Sequence, residues 1–252
     1  MSIRAFSLPL CAVLLAVALP CAATSGKQPD QPATRDSVSV GTPMSGSLVH
    51  GEVLPVKGSG YRLMQTTRDR KARFGTTELT RLVQRSAHEV RRRIPGSLLM
   101  VGDLSGRKGG PTDHHGSHQS GRDVDFAFYM VDRGGKPVAT EVFMPFDANG
   151  YSVEPPMEYR FDTARNWALV RALLESEAAL VQWIFVADHL RALLLEHGAA
   201  SKAPGPVLGK ARQVLRQPGK KGHWDHFHVR SYCPAGDLPR CRDVGPRWAW
   251  TR

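Results

Sequence analysis

Apolar and polar positions repeat with two different periods along this chain. From Thr76 to Arg93, Leu79, Leu82, Val83, Ala87 and Val90 recur at helical spacing. Thr76 and Thr77 are available as the cap, Glu78 lies in the first turn, and Pro95-Gly96 stops the helix. Leu98-Leu99-Met100-Val101 reads as a buried strand ending at Gly102-Asp103. Asp123 to Met130 then alternates, which puts Val124, Phe126, Phe128 and Met130 on one face and Asp123 and Asp125 on the other. Asp162 can cap a second helix through Trp167, Leu169, Val170, Leu173 and Leu174, and Val181–Val186 is a third strand. Asp188 caps a short helix through Leu190, Leu193, Leu194 and Leu195 that Gly198 ends. Leu208 to Leu215 is a weaker helical stretch, and His226–Ser231 is the last strand. Helices and strands mix without a strict strand–helix–strand rhythm, which predicts an α+β fold with an antiparallel sheet.

The ends carry different patterns. Residues 1–23 read as a secretory signal: Arg4 is the positive start, Leu8 to Leu19 an apolar run too short to span a bilayer comfortably, and Cys21-Ala22-Ala23 a small-residue cleavage site. No later stretch is long and apolar enough to cross a membrane, so no stable insertion is expected once the signal is removed. Residues 24–40 are rich in Ser, Thr, Pro, Gln and Asp and read as a disordered linker. The stretch from Gly41 to Gly60 reads as a turn-rich loop lying on a domain that runs from 41 to 252. Cys233 and Cys241, the two cysteines after the signal, flank a turn-rich loop and are expected to pair in an oxidising compartment.

The net charge of +11 falls to +10 without the signal, whose one charged side chain is Arg4. That excess favours an anionic partner. No RNA-binding signature, zinc-finger spacing or basic-region heptad is present, which argues against nucleic acid. Within Tyr61–Phe74, Arg62, Arg68, Arg70, Lys71 and Arg73 form a basic run, read either as a solvated face or as a contact for an anionic substrate.

Chemistry concentrates in two places. Three of the ten histidines lie in His223-Trp224-Asp225-His226-Phe227-His228. On a strand, His226 and His228 share one face and Phe227 points to the core. Three more, His114, His115 and His118, precede the strand that carries Asp125. A turn at Gly121 can bring His118 back over the Asp125 face. With an imidazole from His226 or His228 this makes two histidines and a carboxylate, a shell that suits catalytic zinc and leaves one position for water. Zinc activates that water, and a neighbouring base moves its proton. His226 and Asp225 both qualify as that base. By alternation Asp225 points away from the metal unless the chain is still turning there, and it can instead orient an imidazole. No His-Glu-x-x-His helix is present, and neither Ser117 nor Ser120 lies in a nucleophile elbow.

The pattern Ser117-His118-x-x-Gly121-x-x-x-Asp125, followed by His226-x-His228, resembles the LAS zinc peptidases (lysostaphin-type, D-Ala-D-Ala-cleaving and sonic-hedgehog-like). It is most similar to the penicillin-insensitive murein endopeptidases, with further matches at Gly41-Thr42-Pro43, Gly102-Asp103-Leu104-Ser105, His115-Gly116, Asp123-Val124-Asp125, His223 and Cys233-Pro234-Ala235. The resemblance implies a small central antiparallel sheet carrying the site, flanked by helices. It implies one zinc ion on His118, Asp125 and His228, and His226 as base or transition-state stabiliser. His115 and His223 would flank the metal as a further ligand or as proton and substrate contacts. The implied substrate is the peptidoglycan cross-bridge, cut between D-alanine and a diamino acid by an exported, periplasmic enzyme that needs no acylable serine. Relatives carry an Asp and a His after the first site strand; Asn149-Gly150-Tyr151-Ser152 stands in the comparable place, so a second metal site is not carried over. The alternatives are a D-Ala-D-Ala carboxypeptidase or dipeptidase of the same zinc group, and a non-catalytic wall-binding module. The sequence carries no indication of oligomeric state.

Overall fold

The structure, a computed structural model, describes Met1 and residues 36–155, 158–219 and 222–251. The expected signal, with Cys11 and Cys21, and linker residues 24–35 lie outside the described residues. Strand β1 (Val38–Thr42) starts inside the stretch expected to be linker and pairs with β2 (Ser45–Val49) in an antiparallel hairpin. The turn-rich stretch after it is likewise partly extended, as β3 (Glu52–Val53) and β4 (Lys57–Gly58), before β5 (Tyr61–Leu63). The basic run forms a short helix α1 (Gln65–Asp69) and leads to β6 (Phe74–Gly75), which pairs with β3.

Helix α2 (Thr77–Arg93) matches its sequence pattern. The Thr76 side chain accepts from Leu79 N, and Leu79, Leu82, Val83, Ala87 and Val90 are buried. Strands β7 (Leu99–Val101) and β8 (Asp123–Ala127) follow; β8 is shorter than its alternation suggests, and Met130–Val131 form a separate strand β9. With β10 (Pro137–Val138) and β11 (Arg160–Phe161), β9 makes a small sheet of its own. Helix α3 (Thr163–Glu175) is capped by Asp162, which accepts from Arg165 N. After β12 (Val181–Phe185), α4 (Asp188–Ala200) runs past Gly198, where Trp167 packs against the missing side chain, and Asp188 is its first residue rather than its cap. Helix α5 (Gly205–Val214), β13 (Leu215–Arg216) and β14 (His226–Ser231) complete the elements that matter here.

The main sheet has seven strands in the order β13-β12-β14-β8-β7-β5-β4. This corrects the expected small antiparallel sheet. The pairs β12/β13 and β5/β7 are parallel, whereas β12/β14, β14/β8, β7/β8 and β4/β5 are antiparallel. The physical reason is connection length. The chain leaves β5 and returns at β7 through α2, and it leaves β12 and returns at β13 through α4 and α5; such helical crossovers permit parallel pairing. The part that carries the site is antiparallel throughout.

Alternation sorts the two faces of that part. Val124, Phe126, Phe227 and Val229 join Leu169, Leu173 and Leu190 of the helices in the main core. Phe227 is fully buried and meets Phe128 edge-on at 4.7 Å. Asp123, Asp125, His226, His228 and Arg230 take the other face. The bond between Cys233 and Cys241 closes a loop, and backbone hydrogen bonds from Gly41 N to Arg240 O and from Arg242 N to Gly41 O hold the N-terminal hairpin to that segment. Asp237 inside that loop accepts from Ser39 N. Phe227→Ala should cost about 3–5 kcal/mol, read as a lower urea midpoint; a loss below about 1 kcal/mol would contradict this division of faces.

Candidate metal centre

The site is built by strand register. Asp125 on β8 stands directly opposite His228 on β14, and His228 stands opposite Phe185 on β12. One step away on the same face, His226 opposes Ala127, whose small side chain leaves room for an imidazole. The Asp125 backbone is held on its outer side by Gly102 N donating to Asp125 O and by Asp125 N donating to Asp103 O. Gly102 must lack a side chain, because a Cβ there would lie 2.6 Å from Phe143 and 3.2 Å from the Asp125 Cβ.

His118 arrives from the loop before β8. Its φ is +65°, and Gly121 follows at +73°. That left-handed backbone is uncommon for a histidine and is held by its surroundings. His118 N donates to Asp123 Oδ2, Ser105 Oγ donates to His118 O, and Gln119 N donates to Pro43 O in the hairpin turn. The loop reversal at Gly121 expected from sequence is thus present.

Four imidazoles turn one nitrogen toward Asp125 while an acceptor occupies the other. His118 Nδ1 donates to Leu104 O at 2.8 Å, and its Nε2 lies 3.4 Å from Asp125 Oδ1. His228 Nε2 donates to Asp123 Oδ1 at 3.0 Å, leaving Nδ1 3.3 Å from Asp125 Oδ1. His226 Nδ1 donates to Asp225 Oδ1 at 2.7 Å, with Nε2 3.7 Å from Asp125 Oδ1. His115 Nε2 donates to Asp103 Oδ2 at 2.9 Å, and its Nδ1 is 3.8 Å from Asp125 Oδ2. An acceptor on one ring nitrogen selects the tautomer whose lone pair lies on the other.

Two of the converging atoms, His118 Nε2 and Asp125 Oδ1, are buried and, apart from facing each other as an ion pair, have no hydrogen-bond partner among the described residues. Buried polar atoms are rarely left so, and a cation between them satisfies both. One ligand atom each from His115, His118 and Asp125 lie within 4.8 Å of one another, a group able to hold a metal ion. His228 Nδ1 stands as close to Asp125 as any of these. Imidazole with a single carboxylate fits zinc better than magnesium or calcium.

The charges are mutually supporting. Burial works against charge on His118, but Asp125 and then Asp123 overcome it and bring its pKa up to about 9. Burial also opposes charge on His226, where Asp125 and Asp225 raise the pKa overall. Burial lowers His228 in spite of Asp123, and burial with the neighbouring His226 and His228 takes His223 down to about 4. Burial would raise both Asp125 and Asp123, yet each is held well below the usual carboxylate range, Asp125 by His118 and His226, Asp123 by Arg230 and His228. His223, whose Nδ1 is buried with no hydrogen-bond partner among the described residues, lies 5.1 Å ring to ring from His226.

These residues open on a cleft of about 690 Å³ whose walls include Met44, Arg70, His114, Ser117, Phe143, Phe185 and Arg230. Sequence reasoning gave no role to Asp103 or Phe143, and it named Arg70 only as part of the basic run that could meet an anionic substrate. Asp103 accepts from His115 and from Arg70 Nη1 at 2.9 Å, and Phe143 stacks on His226 with ring centroids 4.6 Å apart. An acidic residue directly after the buried strand and its glycine was the available signal for Asp103; nothing in the sequence points to Phe143. Asp225 lies against His226 Nδ1, and His114 is exposed on the rim.

The sequence model of a family described as penicillin-insensitive murein endopeptidase matches residues 39–248. A penicillin-insensitive murein endopeptidase of Klebsiella pneumoniae (strain 342) is 30% identical over 245 residues, covering 92% of this chain and 80% of the relative. One from Salmonella heidelberg (strain SL476) is 33% identical over 241 residues, covering 88% and 76%. One from Escherichia coli O157:H7 is 30% identical over 249 residues, covering 91% and 78%.

Because His118 holds its proton up to about pH 9 without metal, a zinc ion bound through His118 would have to displace that proton at neutral pH. Zinc affinity measured by competition with a chelating dye should therefore rise roughly tenfold per pH unit between about pH 6 and 8. A flat profile over that window would contradict a ligating His118.

Proposed function

Since the chain belongs to the penicillin-insensitive murein endopeptidase family, we propose that it is a zinc-dependent endopeptidase that cuts peptidoglycan cross-links between D-alanine and a diamino acid. The observation that carries the zinc reading is the convergence of the unpartnered His118 Nε2 and Asp125 Oδ1 with His228 Nδ1. These three residues would hold one ion, and His115 Nδ1 is near enough to assist or replace one of them. When bound, zinc lowers the pKa of a water and polarises the scissile carbonyl.

The remaining work falls to the chain's own groups. His226 Nε2 takes the proton of the attacking water and passes it to the leaving amine. Asp225, on Nδ1, keeps that nitrogen protonated and the ring aimed inward, which supports His226 over Asp225 as the base. Phe143, stacked on the ring, shields it from solvent. His223 stays neutral above about pH 4 and stands ready to donate to or accept from substrate. None of these steps acylates a serine, so β-lactams find no target.

A murein substrate implies work outside the cytoplasm, which agrees with the signal-like residues 1–23 and the Cys233–Cys241 bond. No helix among the described residues is long and apolar enough to cross a membrane.

Purified protein should convert cross-linked muropeptide dimers to monomers, lose this activity to a chelator and regain it with zinc. His226→Ala should lower kcat by about 10²–10⁴ with the bound metal retained. Activity that survives both chelation and His226→Ala would sink the mechanism. Release of free D-alanine alone would mark a carboxypeptidase, and wall binding without cleavage a binding module.

A further inference from the structure

Beyond the histidines, the site face of β14 carries one more residue. Arg230 follows His228 by two positions and stands opposite Asp123, as His228 stands opposite Asp125. It is 7% exposed, yet it forms part of the cleft wall. Nε donates to Asp123 Oδ1 at 2.6 Å, and the guanidinium lies 5.5 Å from the centre of the Phe185 ring. A guanidinium has five N–H donors, and among the described residues only the Nε donor of Arg230 is used.

Neutralising Asp123 does not require those other donors. Asp123 also accepts from His228 Nε2 and His118 N. Arg70, the other arginine of the cleft, has its Nη1 committed to Asp103. A buried guanidinium anchored at Nε, set over an aromatic ring and bordering a cleft, is prepared for a carboxylate.

We infer that Arg230 is a specificity-determining residue that binds a carboxylate on the carbon bearing the departing amine, and so selects a leaving group that carries one there. This rests on the cross-link reading above. Two residues on one face of a strand are about 6.7 Å apart, which sets Arg230 one step from His228 and Asp125, where the carbonyl is attacked. In a cross-link of that kind the carboxyl carbon is three bonds from the attacked carbonyl carbon, so one substrate reaches both places. A neutral carboxamide there would leave the remaining donors of the guanidinium without a charged acceptor, although Asp123 still holds Nε.

The test uses two synthetic cross-linked peptides, identical except that the leaving diamino acid carries a free carboxylate or its carboxamide beside the scissile amide. Wild-type kcat/KM should favour the carboxylate by roughly ten- to a hundredfold. In Arg230→Gln that ratio should fall to near one; in Arg230→Lys, which keeps a charge for Asp123 but lacks the planar fork, it should fall partway. Titration calorimetry of the chelator-treated protein with the two amine products should show the same loss of preference. A purely structural arginine would lower both rates together; an unchanged ratio in the variants, or a wild type indifferent to the carboxylate, overturns the proposal. A wild type that cuts neither peptide but opens a different bond of peptidoglycan overturns the cross-link reading and the proposal with it.

Discussion

Everything in the cleft depends on how the far nitrogen of each imidazole is held. Leu104 O, Asp123, Asp225 and Asp103 take the outer nitrogens of His118, His228, His226 and His115, and the inner nitrogens therefore converge on Asp125. Free imidazoles would rotate and exchange tautomers. Anchored ones present their lone pairs in fixed directions, which spares the ordering cost of assembling the site at each encounter. The same constraint explains the density of acids. Asp103, Asp123 and Asp125 are almost fully buried. They remain ionised there because arginines and imidazoles surround them.

The fold supplies those anchors from distant parts of the chain. One comes with the sheet, since the β8–β14 register sets Asp123 opposite Arg230 and one step from His228. Another, Leu104 O, depends on the segment after β7, which Ala72 O and Phe74 hold through Leu104 N and Ser105 N. The His118 loop in turn leans on the N-terminal hairpin through Pro43 O, and the hairpin leans on the disulfide loop through Gly41 and Ser39. The covalent bond near the chain's end is thereby connected, contact by contact, to a proposed metal ligand near its middle.

The sequence made part of this legible. Helix α2, β8, β12 and β14 announced themselves because each presents one continuous apolar face, and the same alternation put Asp125, His226 and His228 on the opposite side. What it hid follows from length and distance. β5 and β13 have three and two residues, too few for any period, so the parallel pairings they make could not be foreseen. The hairpin β1–β2 is rich in serine and glycine and lacks the apolar run that marks a strand, which is why it read as linker and loop. Asp103, Arg70 and Phe143 reach the site from separate segments through tertiary contacts alone. Asp225 was ambiguous because it immediately precedes the strand, where alternation no longer governs direction; its bond to His226 Nδ1 fixes its place.

The proposed zinc would sit where His118 Nε2, protonated at neutral pH, now faces Asp125 Oδ1 at 3.4 Å. Anomalous diffraction at the zinc edge from zinc-soaked crystals tests this placement most directly. The predicted result is a single strong peak within bonding distance of His118 Nε2, an Asp125 carboxylate oxygen and His228 Nδ1, with an open side toward His226. A peak elsewhere, or none at this site under saturating zinc, would contradict it.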